Sequence, residues 1–362
     1  MMLPVILGVF WLAGWLMLGR IKPCRAMAAV PTATLAQKLS IIIPSRNEEK
    51  NLPRLLASLQ RQPVHAREII VVNDASTDRT VAVAREFGAT VRDAPPLPDG
   101  WRGKTWACQH GAAEAKGEWL LFLDADTWFE ADGLPRVLAE FHDGGGALSV
   151  APLHRVRALH EQFSAFFNLI MLTGTGAFTV LGDRLTPRGL LGQFLLIEAA
   201  AYARVGGHRE VRGQILENFW LAEKLRAAGV PLRCCGGENV FSFRMYPSGW
   251  MEMTEGWVKG FAAGAGKTPL PLVLLVTAWL SGLIMAAACL LLVKNFALHV
   301  LIYALYAAQF GWLLRRVGTF HWLTALLYPL PLAFYFSTFT RSAWRATRKK
   351  SVTWKGRQIH AD

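Results

Sequence analysis

Apolar and polar positions fall into three regimes along the chain. Met1 to Leu18 is apolar and uncharged, with Lys22 and Arg25 close behind it. Pro269 to about Thr340 is again mostly apolar, broken by Lys294 and the Arg315–Arg316 pair. Between them, short apolar runs alternate with helical patterns. "LSIIIPSRNEE" is a β-branched run stopped by Pro44, followed by polar residues that can open a helix. "NLPRLLASLQRQ" spaces Leu52, Leu55, Leu56 and Leu59 as one helix face. "EIIVVNDAST" predicts a second strand ending in Asp74, and "DRTVAVAREFG" a second helix closed by Gly88. After "ATVRDA" and a Pro/Gly-rich loop, the pattern predicts a helix from about Lys104 to Ala115 and then the strand "EWLLFLDAD". Continuously apolar strands alternating with helices predict an α/β fold with a parallel sheet covered on both faces. Ligands of such sheets bind at the carboxyl ends of the strands. Asn47, Asp74, Asp124 and Asp126 all stand at strand ends, so they should gather along one edge.

The flanking regimes predict a membrane protein. Residues 1–20 form an anchor, 38–248 a globular domain, 249–268 an amphipathic segment, 269–340 a membrane block and 341–362 a basic tail. A cleaved signal peptide is disfavoured, because the basic residues follow the apolar run and no A-x-A site is evident. Lys22 and Arg25 place residues 20–268 in the cytoplasm. Leu272–Val293 and Phe296–Leu314 read as spans. The third run, His321–Phe339, carries Pro329 and Pro331 and poses a conflict. Arg315–Arg316 and the tail (Arg341, Arg345, Arg348, Lys349, Lys350, Lys355, Arg357) both look cytoplasmic, and one full span between them cannot satisfy both. Either the proline-bearing run is re-entrant or interfacial, or the positive-inside rule is broken; a cytoplasmic tail is favoured. The tail's charge also suits anionic lipid head groups.

The five cysteines fit this compartment. Cys234 and Cys235 are adjacent, which suits neither a disulfide framework nor a C-x-x-C metal knuckle, so all five read as reduced thiols. No G-x-G-x-x-G, Walker, H-E-x-x-H or G-x-S-x-G motif is present. Despite a net charge of +13, no nucleic-acid polymer is expected as a partner.

Candidate chemistry centres on Asp124 and Asp126 in "LLFLDADTWF". Hard oxygen ligands suit Mg²⁺ or Mn²⁺, which bind one or two carboxylates plus substrate phosphates. Asp126 or Thr127 capping the next element is the plainer alternative. A phosphatase of the haloacid dehalogenase type also ends an apolar strand in D-x-D. Trp128, however, stands where Thr or Val is usual there, and two strand–helix units precede the motif.

"SIIIPSRNEE", "EIIVVNDASTD" and "LLFLDADT", in that order, resemble the opening of the family-2 glycosyltransferases, whose nucleotide-sugar-binding fold is called GT-A. "LPDGWRGKTWACQHGA", "GQFLLIEAAAYARVGGH", "SFRMYPSGWMEMTEGWVKGFAAGA" and "WKGR" extend the resemblance, over nearly the whole chain, to the carotenoid-pathway membrane members. Hopanoid-associated members share "GW-GK-WA". The resemblance implies that Asp74 contacts the uridine of a UDP-sugar and that Ser45, Asn47 and Glu48 shape the base and ribose pocket. It implies Lys104 beside the nucleotide, Asp124 at the ribose or the metal's water, and Asp126 on a metal bridging the diphosphate. Arg244 would help to stabilise the leaving UDP. The implied reaction is inverting transfer of a hexose, glucose foremost, to a carotenoid or other terpenoid lipid. Polyprenyl-phosphate or hopanoid glycosyl transfer is the alternative.

Inverting members carry "ED-x-x-L" at a helix start, and its Asp deprotonates the acceptor. Here "LENFWLAEKLRAAG" supplies Glu217 for the Glu, but Asn218 where the Asp is expected. An amide is no general base. Either Glu217, with its pKa raised by burial, takes the proton, or the acceptor is a carboxylic acid. Such an acid, with a pKa near about 4, is already ionised. Trp250, Met253, Trp257 and Phe261, three to four residues apart, predict an interfacial helix that sets the site against the bilayer. "EGWVKG" is not the "QxxRW" of processive synthases, which suggests a single transfer.

Overall fold

The computed structural model describes the chain apart from residues 1, 25–29, 215, 266–267, 293, 349–350, 355–356 and 361–362, with backbone alone at 183, 259–265, 345–348, 351–354 and 357–360. It divides into two compact units. One comprises Lys22–Leu153 and Thr186–Arg244; the other comprises Met1–Ile21, His154–Leu185 and Met245–Asp362.

The first unit is built on β1 (Leu39–Ser45), β2 (Glu68–Asn73), β3 (Thr90–Asp93), β4 (Trp119–Leu123), β5 (Thr127–Phe129), β6 (Ala147–Ala151), β7 (Phe194–Glu198), β8 (Leu232–Gly236) and β9 (Phe241–Phe243). Seven of these form one sheet in the order β3-β2-β1-β4-β7-β6-β8. β1 pairs parallel with β2 and with β4, and β2 with β3. The expected parallel sheet is present, with one exception: β7 runs antiparallel to both β4 and β6. Its run "FLLIE" is as apolar as its neighbours, and apolarity carries no information about strand direction. Pro44 also lies within β1, opposite Val72, and does not end it.

Period-two alternation sorts the strand side chains into two layers. Ile41, Ile43, Val71, Leu121 and Leu123 pack with Leu55, Leu56 and Phe141 on one face. Ile42, Ile70, Val72, Leu120 and Phe122 pack with Ala107, Cys108 and Leu225 on the other. Each fully buried Ile or Leu contributes about 1.5–3 kcal/mol, which is why the apolar runs dictate these strands. The helix Gly103–Glu114 lies very close to this second face. A Cβ on Gly111 would stand 2.6 Å from Ile42 Cγ2 and 2.8 Å from Val72 Cγ2. Cys24 and Cys235 are joined in a disulfide, so the expectation of five reduced thiols is corrected for this pair, which lies 211 residues apart in sequence.

The second unit is mostly helical, with an antiparallel strand pair, Ser351–Trp354 and Arg357–His360. Two of its helices, Leu270–Cys289 and Phe296–Val317, are long and apolar enough to cross a membrane; Met2–Leu18 is apolar but shorter. Buried polar groups tie the three together. Gln309 accepts from Trp279 Nε1 at 2.9 Å and donates to the Trp11 carbonyl at 2.7 Å, and Tyr306 donates to the Leu7 carbonyl at 2.7 Å. The amphipathic segment is the helix Trp250–Ala265. Among the described side chains of its apolar stripe, protein covers Met253 and Trp257. Trp257 stacks on Phe167 at 4.7 Å and Met253 is buried against Ser164, while Trp250 stays 46% exposed. The outward-facing stripe expected of Trp250 and Trp257 is therefore narrowed to Trp250. The Phe261 side chain and the basic side chains beyond Trp344 lie outside the described residues.

Candidate active site

Strands β1, β2 and β4 deliver their carboxyl ends to one edge of the sheet. The loops after β1 and β2 clasp each other. Asn47 Oδ1 accepts from the Thr77 amide at 2.8 Å, and the Asn47 amide donates to Ser76 Oγ at 3.1 Å. The Glu48 amide donates to Thr80 Oγ1 at 2.8 Å, and the Glu49 amide to Asp78 Oδ2 at 3.1 Å. Asn47 holds a left-handed φ of 53°, which Asn tolerates better than most residues. Ser45 is buried and donates to the Ile43 carbonyl at 3.3 Å. Both side chains thus hold the wall of the edge. Asp74, 6% exposed, is reached by Arg46, whose Nη1 donates to the Asp74 carbonyl at 2.7 Å and lies 3.9 Å from its Oδ2.

Beyond β4 the chain turns through Asp124 and Asp126 into β5. Thr127 Oγ1 donates to the Asp124 carbonyl at 2.6 Å, so Thr127 closes this turn and neither aspartate caps a helix. Asp126 is partly buried, and its Oδ1 is fully buried without a hydrogen-bond partner. Burial first, then the nearby charges of Asp124 and Glu48, push its carboxyl up to about 7. β9 pairs antiparallel with β5, Phe243 opposite Thr127, so Arg244 leaves the strand at the level of Asp126.

Lys104, expected beside the nucleotide, stands in the first turn of its helix and reaches three oxygens of the protein. Its Nζ lies 2.8 Å from Asp124 Oδ1, 2.9 Å from Glu217 Oε1 and 3.0 Å from the Gly192 carbonyl. The Glu217 contact is an ion pair whose angle falls outside hydrogen-bond alignment. Burial pulls the Lys104 ammonium down, but Asp124 and Glu217 overcome this and hold it above the usual lysine range. Glu217 is 6% exposed and opens the helix Glu217–Ala227. Asn218 is 4% exposed; its Nδ2 donates to the Leu191 carbonyl at 2.8 Å, and its Oδ1 is buried without a partner.

The cluster therefore joins Lys104, Asp124 and Glu217 directly, with Asp126 and Glu48 coupled to it by charge. Two contributors were not singled out within the motifs that carry them. Arg46 lies in "SIIIPSRNEE", and the Leu191–Gln193 segment, which runs into "GQFLLIEAAAYARVGGH", acts through its backbone carbonyls. Gln193 also has a buried Oε1 without a partner.

The donor set fits a divalent cation. Asp126 presents an orphaned buried oxygen, and like charges around it disfavour its ionisation unless a cation is near. Among the described residues no group of three His, Cys, Asp or Glu side chains forms a metal cage. A cation here would take one or two carboxylates, with its remaining ligands from substrate or water, as Mg²⁺ does.

Residues 40–162 match the model of "Glycosyl transferase family 2". The 4,4'-diaponeurosporenoate glycosyltransferase of Staphylococcus aureus strain USA300 is 37% identical over 330 residues, 88% of this chain and 88% of the relative. That of strain MRSA252 is 36% identical over the same shares. Among solved structures, a mannosyltransferase from Pyrobaculum calidifontis, in complex with GDP-Man and Mn²⁺, superposes with a TM-score of 0.52. It covers 95% of this chain and 92% of its own at 20% identity, a likeness of fold alone.

Proposed function

This chain belongs to glycosyl transferase family 2, and from that premise we propose that it is a membrane-bound, metal-dependent inverting enzyme. It transfers a hexose, glucose foremost, from a UDP-sugar to a carotenoid or related terpenoid lipid, at the acceptor's carboxylate. The relatives' name denotes a carotenoid carboxylate, which supports the acceptor class.

Asp126, with Asp124 beside it, would hold Mg²⁺ or Mn²⁺, and that cation would neutralise charge on the departing UDP. Asp74 and the clasped loops carrying Ser45, Asn47 and Glu48 would seat the uridine and ribose. Arg244, at the level of Asp126, would add positive charge where the diphosphate leaves. Lys104 acts by position: it fixes Asp124 and Glu217 relative to each other.

The observation that carries the acceptor reading is the state of the Glu217–Asn218 pair. Lys104 already occupies Glu217, and the Asn218 amide is committed to the Leu191 carbonyl. Asn218 is an amide and no base, and Glu217 holds its charge against the Lys104 ammonium. An ionised carboxylate needs no such help. Its oxygen forms the bond to the sugar's C1 as the C1–O bond to UDP breaks, and no proton changes hands. Titration calorimetry with UDP, with and without Mn²⁺, tests the donor half. Metal-dependent UDP binding that Asp126→Asn abolishes is expected; UDP binding indifferent to both would remove the metal platform.

A further inference from the structure

Contacts within the helical unit fix the directions of its three apolar helices. Tyr306 bonds Leu7, Gln309 bonds Trp11 and Trp15 packs on Trp312, so Met2–Leu18 runs parallel to Phe296–Val317. Gly14 abuts Trp279 and Gly282 abuts Phe10, so Met2–Leu18 runs antiparallel to Leu270–Cys289. Leu18, Leu270 and Val317 therefore share one pole, and Met2, Cys289 and Phe296 share the other. Arg315 and Arg316 stand at the first pole, with Arg20 just beyond Leu18. Thr319 joins them to Arg155 and Arg157: its amide donates to the His154 carbonyl at 2.9 Å, and its Oγ1 accepts from the Val156 amide at 2.9 Å. Lys294 is the charge at the opposite pole among the described residues.

The proline-bearing run behaves differently from these three helices. It starts at the arginine pole, where the His321 amide and Thr324 Oγ1 both donate to Gln162 Oε1. It then reaches the middle of the long helices. Tyr328 donates to the Leu283 carbonyl at 2.9 Å and stacks on Tyr303 at 4.9 Å, while Tyr303 donates to the Leu326 carbonyl. The Pro329–Arg348 helix comes back: Phe334 meets Phe163, and Ser342 donates to the Val258 carbonyl. Gln162 and Phe163 are neighbours, so both limbs of the run pass the same level. Apolar side chains face outward near the turn, among them Leu326, Leu327 and Leu330. After it, Ser337, Thr340 and Arg341 face outward, together with the apolar Ala333, Ala343 and Trp344. The outward faces of the three apolar helices stay apolar, as at Val9, Leu274 and Leu301. The backbone at the turn suits lipid, because Leu327, Leu330 and Leu332 donate to Leu323, Leu327 and Tyr328. Pro329 and Pro331 have no N–H to satisfy.

We infer that three helices cross the bilayer and that Trp322–Phe336 is a re-entrant hairpin, dipping into the leaflet at the arginine pole and returning. The arginine collar meets the anionic head groups of that leaflet. Arg315–Arg316 and the C-terminal tail then lie on one side, as their charge requires. The inference rests on the membrane reading above, but it is independent of the chemistry.

The test uses the full chain in cell membranes, carrying one epitope tag either after Lys294 or after Asp362. Right-side-out and inverted vesicles are digested with an added protease. The Lys294 tag is expected to be lost only from right-side-out vesicles, and the tail tag only from inverted ones. Both tags on the same side overturns the inference: a fourth crossing helix gives that result, and so does a chain that never crosses. If the Lys294 tag disturbs insertion, Asn295→Cys and Thr340→Cys, labelled with an impermeant thiol reagent in a background lacking the free cysteines, must again report opposite sides. UDP binding measured on the same vesicles reads the chemistry separately, so either reading can fail alone.

Discussion

Lys104 Nζ and Glu217 Oε1 stand 2.9 Å apart, and Asp124 Oδ1 lies 2.8 Å from the same nitrogen. One cation thus holds two carboxylates that come from distant parts of the sequence. Removing it takes that cation from both carboxylates at the sheet edge. Lys104→Met is expected to lower stability by about 1–2 kcal/mol, less than for a fully buried pair because Lys104 and Asp124 are each 28% exposed. It is also expected to weaken UDP-sugar turnover more than UDP binding. Urea denaturation and calorimetry check the two halves; unchanged turnover would show that the positioning role is mistaken.

Glu217→Gln keeps the shape of the site and removes the candidate base. On an acid acceptor, turnover is expected to survive within about tenfold, since general-base catalysis is usually worth about 10²–10⁴-fold. A loss in that larger range would return Glu217 to the base role.

Asn218→Asp restores the carboxylate usual in inverting relatives but costs the bond from Nδ2 to the Leu191 carbonyl. A loss of about 1–3 kcal/mol is expected from burying an ungratified acceptor, with no rate gain on an acid acceptor. A gain in rate there would mean that proton removal limits the reaction.

Asp126 gives a pH dependence with a definite sign. Its folded pKa, about 7, lies above the ordinary carboxylate value. The stability tied to its protonated form is therefore present in acid and lost as pH rises through about 7. A divalent cation offsets that loss, so the rise in Tm produced by Mn²⁺ should be larger at pH 8 than at pH 6. Equal rises at both pH values, or a rise that persists in Asp126→Asn, would contradict the assignment.

Gly111 tests the packing that carries Lys104. Gly111→Ala drives a methyl into Ile42 and Val72 on the sheet face and should cost about 1–3 kcal/mol. Thermal denaturation measures it, and a neutral result would mean that the helix can lift off the sheet at little cost.

The strands β1, β2 and β4 were legible because each is a short apolar run ended by polar residues, and burial of such runs fixes them whatever surrounds them. The aspartates at their ends were placed at one edge by that same logic. The direction of β7 was not legible, since "FLLIE" has the same pattern in either orientation. Lys104 could be picked out from its motif, but its partners could not. Glu217 lies 113 positions further on, and the Gly192 carbonyl is a backbone group with no signature at all. The Cys24–Cys235 pairing is hidden for the same reason of distance. The stripe of the Trp250–Ala265 helix was correctly periodic, but periodicity does not say whether protein or lipid covers it; at Met253 and Trp257 protein does.

The central claim is transfer of a hexose from a UDP-sugar to a lipid carboxylate, and the direct measurement is product identification. Purified full-length protein is incubated with UDP-glucose, Mn²⁺ and a carotenoid acid, and the lipids are analysed by mass spectrometry before and after mild alkali. The account predicts a lipid heavier by one hexose that alkali returns to the free acid, as an ester requires. An alkali-stable glycoside formed only on hydroxylated lipids, or no consumption of any UDP-sugar with metal present, would contradict it.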